Sequence, residues 1–543
     1  MTAAAAIGVP FSRSTPEPVN KWVVTAAIAV GALMAAIDSS IVNVALPQIR
    51  GTVGATVEEI TWVSTSYMIA MVLVMPLTGF LGSFFGQKRV YVFSLVLFVV
   101  GSALCGLART LPTLVLYRAI QGFGAGALQP TQQAILRQTF PPKEQGMAMA
   151  MFAMGIMIGP AVGPSLGGYI VDHYSWPWIF YINLPVGVVG TIMTLRFVHE
   201  PEDVMLANRA RAEVQKKNLD IAGIVLMCVG ISTLQYVLEE GQRADWFDSP
   251  LITFLSFVAG ISLCAFIIRE LTATAPVVNL RVFGDKTFAS ATAIGGVMYA
   301  MLMGSMFLLP VFMQEVLGFD ATQSGITLMP RTIAMMVVTP FIGKLYNHIP
   351  PAVTVGLGAV LFVLGSYQLS HITLESGSID IVIPLIVTGF GFACLFIPLT
   401  TAALTFVPRP ELADAAGLSS FVRQIGGSFG LTIFATLLSN YSKRAVASVS
   451  WNVTDLRPEI VARLAQMAHG FQARGMGAMD AKQTALRAMA GRVGLQGTVL
   501  GFEKTFLVQG VAFIAVLPLL FFLRVGKKST KSESETHVEL SME

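Results

Sequence analysis

The sequence predicts an all-α integral membrane protein of fourteen spanning helices, and three observations predict it. Apolar residues make up 54% of the 543 positions and charged residues only 12%. The 50 glycines are scattered through the apolar segments, as in spanning helices that pack closely, rather than gathered in loops. Runs of roughly 20 apolar residues, each long enough to cross ~30 Å of hydrocarbon, recur along nearly the whole chain.

Taken in order, the runs lie near 22–46, 60–82, 89–108, 112–135, 146–170 and 178–198, then 220–239 and 250–268. Six more follow near 287–314, 322–343, 352–371, 379–402, 415–438 and 504–524. Charged or Pro/Gly-rich breaks separate them. The first twenty residues lack the basic start and apolar centre of a signal peptide, so an uncleaved tail is expected there. After the sixth run, residues 199–219 carry Glu200, Glu202, Asp203, Arg209, Arg211, Lys216 and Lys217, a polar linker where two six-helix halves would join.

The expected organisation is a tail at 1–20, an N-terminal bundle at 21–198 and the linker at 199–219. An inserted helix pair with its connection follows at 220–286, then a C-terminal bundle at 287–525 and a tail at 526–543. That last bundle contains a long outer loop at 440–503. Fourteen spans put both termini on one face. The tails and short loops of that face hold most of the basic residues, whereas the short loops opposite hold Arg50, Arg109 and Arg243, so both termini are expected in the cytoplasm. The 440–503 segment is also basic and falls outside, but loops beyond ~60 residues escape the rule.

Asp38 sits in Ile37-Asp38-Ser39-Ser40-Ile41-Val42, inside the first apolar run. A carboxylate within a bilayer costs a few kcal/mol on insertion scales, about 2.5–3.5 at the helix centre, and usually serves an ion or substrate path. Arg118, in Tyr117-Arg118-Ala119-Ile120-Gln121-Gly122, is likewise inside a span. At 1.5 Å rise per residue both lie ~9–12 Å from the outer end of their helices, so they can meet. Burial favours the protonated acid and an approaching guanidinium favours the carboxylate, which together make a device for binding and releasing a proton as helices move. A helix-packing Asp and a permanent ion pair are the plainer alternatives.

Gly155–Gly168, with Gly159, Pro160, Gly163, Pro164, Gly167 and Gly168, combines small residues that let backbones approach with prolines that bend a helix. A bendable contact face between bundle halves is expected. Gly163-Pro164-Ser165-Leu166-Gly167 fits the G-x-S-x-G pattern, but a nucleophile elbow needs a strand before it with a His and an acid nearby, whereas this Ser lies in the middle of a span. The turn Gly79 to Arg89, with Gly86 and Lys88, is partly echoed by Gly343 to His348. Both read as conformational elements, and Arg331 and Arg423 within later spans are assigned structural or gating roles.

Asn43, Trp62, Tyr67, Gln129, Met154, Tyr299, Phe307, Gln314 and Phe396 are candidate pocket residues, because rings and Met side chains give broad apolar contact with little demand on ligand shape. Cys105, Cys228, Cys264 and Cys394 are spread over apolar spans, so neither disulfides nor a metal site is expected. No phosphate-binding G-x-x-x-x-G-K-[ST] occurs, which leaves an ion gradient as the energy source, without a cofactor. The six His residues are scattered and form no catalytic set, so no enzyme is expected, and no nucleic-acid partner either.

With these residues laid out, the chain resembles the fourteen-span drug:proton antiporters of the major facilitator superfamily, in particular the EmrB-type multidrug exporters. The resemblance rests on the Asp38 segment, Arg118/Gln121/Gly122, the motif ending Gly167-Gly168, and Trp176-Pro177-Trp178-Ile179-Phe180-Tyr181-Ile182-Asn183-Leu184-Pro185. It implies proton-driven export of hydrophobic drug-like molecules across a bacterial inner membrane, with a periplasmic adaptor and an outer-membrane channel as partners. A metabolite carrier on the same scaffold, working without an adaptor, is the alternative. One position departs from the family pattern: where an acid is usual in the turn after the second span this chain has Ser83, and its echo has Asn347. The charged latch of that turn is therefore not expected in its usual form.

Overall fold

The structure, a computed structural model, describes residues 20–217, 219–454 and 456–523; apart from Asn20, the two expected tails lie outside the described residues. Helix α1 (Lys21–Val53) starts behind Asn20, whose side chain accepts the Trp22 N–H, and ends at Gly54 in the left-handed conformation. The second span is α2 (Trp62–Val74) followed by α3 (Thr78–Phe85), interrupted at Pro76 where the ring removes a backbone donor. Next come α4 (Gln87–Leu107), α5 (Leu111–Thr139), α6 (Gln145–His173) and a broken sixth span, α7 (Trp178–Tyr181) with α8 (Asn183–Phe197). The linker forms helix α9 (Glu202–Lys217), and the inserted pair is α10 (Ile221–Glu240) and α11 (Pro250–Thr272). The remainder is α12 (Lys286–Val311), α13 (Ala321–Leu345), α14 (Pro351–Leu369), α15 (Ser378–Ala403), α16 (Leu412–Trp451), α17 (Pro458–Gln472) and α18 (Ala478–Ile514).

Among the described residues thirteen helices are long and apolar enough to cross a membrane. The fourteenth span is α5, whose 29 residues reach about 43 Å at 1.5 Å per residue. Arg118, Gln121, Gln132, Gln133, Arg137 and Gln138 lower its hydropathy, and all six are buried. It is the polar spine of the molecule.

Helices α1, α2, α4, α5, α6 and α8 pack as one bundle, and α12 to α16 with α18 as another. The inserted α10 lies against both, along the seam between α2 and α16. Trp62 sits with its ring 5.6 Å from that of Tyr236. On the other side the Thr432 hydroxyl donates to Leu238 O at 2.7 Å and Gln235 Nε2 donates to Ser428 Oγ at 3.0 Å. Its partner α11 exposes Phe254, Phe257 and Ile261 at helical spacing, an apolar stripe suited to lipid.

The segment 440–503 departs from the expected loop. Helix α16 runs on without a break to Trp451, and α18 begins at Ala478, far ahead of the apolar run at 504. Two spanning helices therefore project beyond the bilayer as a hairpin, with α17 packed along α18. Hydropathy marks the membrane thickness and not the end of a helix, and the continuations pack on each other where hydropathy falls, Gly497 and Gly501 of α18 lying against Val446 and Ser442 of α16.

The face that carries the start of α1 is closed. Gly146 of α6 abuts Gly343 of α13, Gly417 of α16 abuts Met75 and Thr78, and Asn347 donates to Lys143 O. These close approaches join the two bundles at that end. We call it the terminal face.

Candidate functional site

Asp38 and Arg118 meet. Both are buried, at 0% and 1% exposure, and Arg118 Nη1 lies 2.6 Å from Asp38 Oδ2. The other carboxylate oxygen accepts from Gln121 Nε2 at 2.8 Å and from Asn183 Nδ2 at 3.1 Å. Each of those amides also reaches Ser102 Oγ, at 3.2 and 3.0 Å, and the Ser102 hydroxyl donates to Phe180 O at 2.8 Å. Arg118 in turn donates through Nη1 to Gln121 Oε1 at 2.7 Å and through Nε to Val63 O at 3.1 Å. Its guanidinium lies 4.1 Å from the centre of the Tyr67 ring, a cation–π contact.

Side chains or carbonyls of α1, α2, α4, α5 and α8 thus converge on one carboxylate. The broken sixth span is what supplies Asn183, which stands at the start of α8 immediately after the break. Three donors, from Arg118, Gln121 and Asn183, address the Asp38 carboxylate directly. The result is a buried ion pair enclosed by amide and hydroxyl groups of neighbouring helices.

Behind Asp38, the small residues of α6 press on α1. Gly159 meets Ala36, Gly163 meets Ser40 and Gly167 meets Ile41, and the Ser40 hydroxyl lies 2.9 Å from Gly159 O. The stripe faces α1 of the same bundle and brackets the Asp38 turn. Gly168 has open space beside it, and Pro164 is exposed. Pro160 is part of α6, but its side chain lies outside the described residues.

The pocket candidates do not share one place. Tyr67 belongs to the Asp38–Arg118 cluster, and Trp62 faces the inserted helix. Phe396, buried, stacks on Phe152 of α6 across the bundle seam with ring centres 6.4 Å apart, and on Phe392 at 5.7 Å. Tyr299 stands against Gly427, next to Arg423. Asn43 is exposed on α1 with Ser64 Oγ 3.5 Å away, and Gln314 is exposed in the π-helical turn that ends α12. Gln129, Met154 and Phe307 are half-buried, without a contact that ties them to the others.

The conformational candidates divide in the same way. Gly79 packs against Asp414 at the start of α16, where a Cβ would collide with the carboxylate. Gly86 has φ +86° and begins α4; the Glu200 carboxylate accepts the Lys88 N–H there at 2.5 Å, while Lys88 Nζ donates to Leu195 O at 2.7 Å. Arg89 is exposed. Arg423 is satisfied by Ser419 Oγ at 2.7 Å and Ser420 Oγ at 3.0 Å, and Gln133 of the other bundle reaches the same Ser420 at 3.2 Å. Arg331 is buried on α13 with Nε and Nη2 unpaired.

Ser102 and Asn183 were not singled out as site residues from the sequence. Asn183 lies within the Trp176–Pro185 segment that carried the family resemblance, so a signal existed. Ser102 gave none, being a small polar residue of a kind common in spanning helices.

Comparison with known proteins agrees with this fold. Residues 28–431 match the Major Facilitator Superfamily, and the chain belongs to that family. Within it, the chain is 32% identical to the multidrug export protein EmrB of Escherichia coli (strain K12) over 505 residues, 92% of this chain and 95% of that protein. The fatty acid resistance protein FarB of Neisseria gonorrhoeae is also 32% identical, with 93% of this chain and 96% of FarB covered. The fold resembles that of the human organic anion transporter MFSD10, with a TM-score of 0.62 at 12% identity over 92% of this chain and 99% of that one.

Proposed function

We propose that this protein is a proton-driven multidrug exporter of the EmrB type, which moves hydrophobic, drug-like molecules out across a bacterial inner membrane. The observation that carries the reading is the closed donor network around Asp38, a buried acid on α1 that accepts from Arg118 and Gln121 of α5 and from Asn183 of α8, with Arg118 also tied to Val63 O of α2. In this reading the terminal face is cytoplasmic. With that face closed, the Asp38 carboxylate accepts from Arg118, Gln121 and Asn183. A proton entering from the outer side neutralises it and loosens the Arg118 contact. Rearrangement of α1 against α5 then accompanies opening of the cytoplasmic face, where the proton leaves and a substrate molecule enters the seam lined by Phe152 and Phe396.

No resident cofactor is required, since the proton gradient supplies the energy. The partners are protons, lipid, apolar small molecules, a periplasmic adaptor and, through it, an outer-membrane channel. Support for the adaptor comes from the hairpin of α16, α17 and α18, on which Trp451, Leu456 and Met479 are strongly exposed. Inverted membrane vesicles test the coupling. Ethidium uptake on energisation should stop when a protonophore collapses the gradient, and uptake that persists would rule out proton-driven export.

A further inference from the structure

We propose that the linker helix α9 is the latch of the terminal face, a clasp that holds the two bundles together in the closed state and must release for that face to open. The family pattern places an acid at the position of Ser83, on the N-terminal bundle. Here the acid stands on the other bundle, as Asp414 in the first turn of α16, where a carboxylate also complements the helix dipole. Its counter-charge comes from neither bundle.

Arg211 of α9 donates to Asp414 through both terminal nitrogens, Nη1 at 2.5 Å to Oδ2 and Nη2 at 3.1 Å to Oδ1. Asp414 is 1% exposed, so this is a bidentate pair largely out of water. One helical turn further, Gln215 of α9 accepts from the Ser83 hydroxyl at 2.7 Å. Residues 211 and 215 share a face of α9 by their i, i+4 spacing, so one face of the helix grips α16 with one residue and α3 with the other. A second, exposed pair, Arg409 with Asp203 at 3.3 Å, extends the α9 contact along the same bundle.

The clasp lies beside the closest approach of the two bundles. Gly79 fits against Asp414 only because it lacks a Cβ, and Gly417 abuts Met75 and Thr78 on the next turn of α16. If α16 moves away from α3, Asp414 cannot keep Arg211 unless α9 travels with it, and α9 cannot travel without giving up Ser83. Opening therefore breaks one of the two grips. Separation of the two bundles at this face is all that the latch needs, whether or not protons drive transport.

The test reads the width of the terminal face directly. Spin labels at Pro142 and His348, exposed positions either side of the Lys143–Asn347 contact, are placed in full-length protein with the four native cysteines replaced. Wild type should give a dominant short distance with a small wide fraction. Arg211→Ala and Asp414→Asn should each raise the ratio of wide to narrow forms about tenfold, and the double variant should match either single one, because both remove the same interaction. Unchanged distances in the single variants, or additive shifts in the double, would overturn the latch. Hydrogen exchange in wild type needs no altered latch residue. Exchange of the α9 amides should rise together with the wide fraction as temperature changes it, and a constant α9 rate while that fraction grows would also overturn the proposal.

Discussion

Asp38 has no neutral substitute in this account, because an Asn of the same shape cannot carry a proton. Asp38→Asn is expected to abolish uphill export at wild-type protein levels, measured as lost drug resistance beside an unchanged immunoblot. Arg118 acts through Asp38. Removing one partner of a buried pair costs about 3–5 kcal/mol, and without the guanidinium Asp38 no longer has two environments to move between. Arg118→Ala should therefore flatten the pH dependence of transport. Arg118→Lys, which keeps the charge but loses the forked geometry to Asp38, Gln121 and Val63, should impair it less. Asn183→Ala removes one donor to the carboxylate. Asn183 touches the carboxylate and not the aromatic seam, so its loss should change the pH profile of transport while drug affinity is kept. Asp38 and Arg118 were legible in the sequence because charge is conspicuous in apolar surroundings. Ser102 and Asn183 were not, since a neutral polar side chain in a span looks the same whether it holds a carboxylate or its own backbone.

The contact between α1 and α6 gives a sharp internal comparison. A Cβ at Gly159 would strike the backbone of Ala36, which cannot give way without shifting the Asp38 turn, whereas one at Gly168 meets open space. Gly159→Ala should lower transport severely at normal expression and Gly168→Ala should leave it within twofold, as vesicle uptake would report. The stripe of small residues was readable as a contact face, but its partner was not, because sequence spacing gives the face of a helix and not the neighbour across it. The outer hairpin shows the opposite failure. The segment 440–503 reads as a loop because the apolar runs at 415–438 and 504–524 stop where the lipid stops, although α16 and α18 enter this region unbroken. Replacing 452–490 by a short Gly/Ser linker should leave vesicle transport intact while abolishing adaptor co-purification and resistance in cells. Retained co-purification would make the hairpin a cap rather than a dock.

Across the whole molecule the working parts are separated. The titratable centre lies inside the N-terminal bundle, the aromatic seam of Phe152 and Phe396 lies between bundles, and the terminal face is closed by the glycine contacts and by α9. The spans, the two-bundle plan and the inserted pair could all be read from hydropathy and charge, because the bilayer imposes a length and a polarity on every helix. The joining of the bundles could not, since it depends on contacts between residues hundreds of positions apart. Separated parts imply that export can be uncoupled without being destroyed. In inverted vesicles, Asp38→Asn should still exchange labelled for unlabelled ethidium at equal concentrations, because exchange needs alternating access but no net proton movement, yet should fail to accumulate ethidium when the membrane is energised. Accumulation at the wild-type level in that variant would contradict the account.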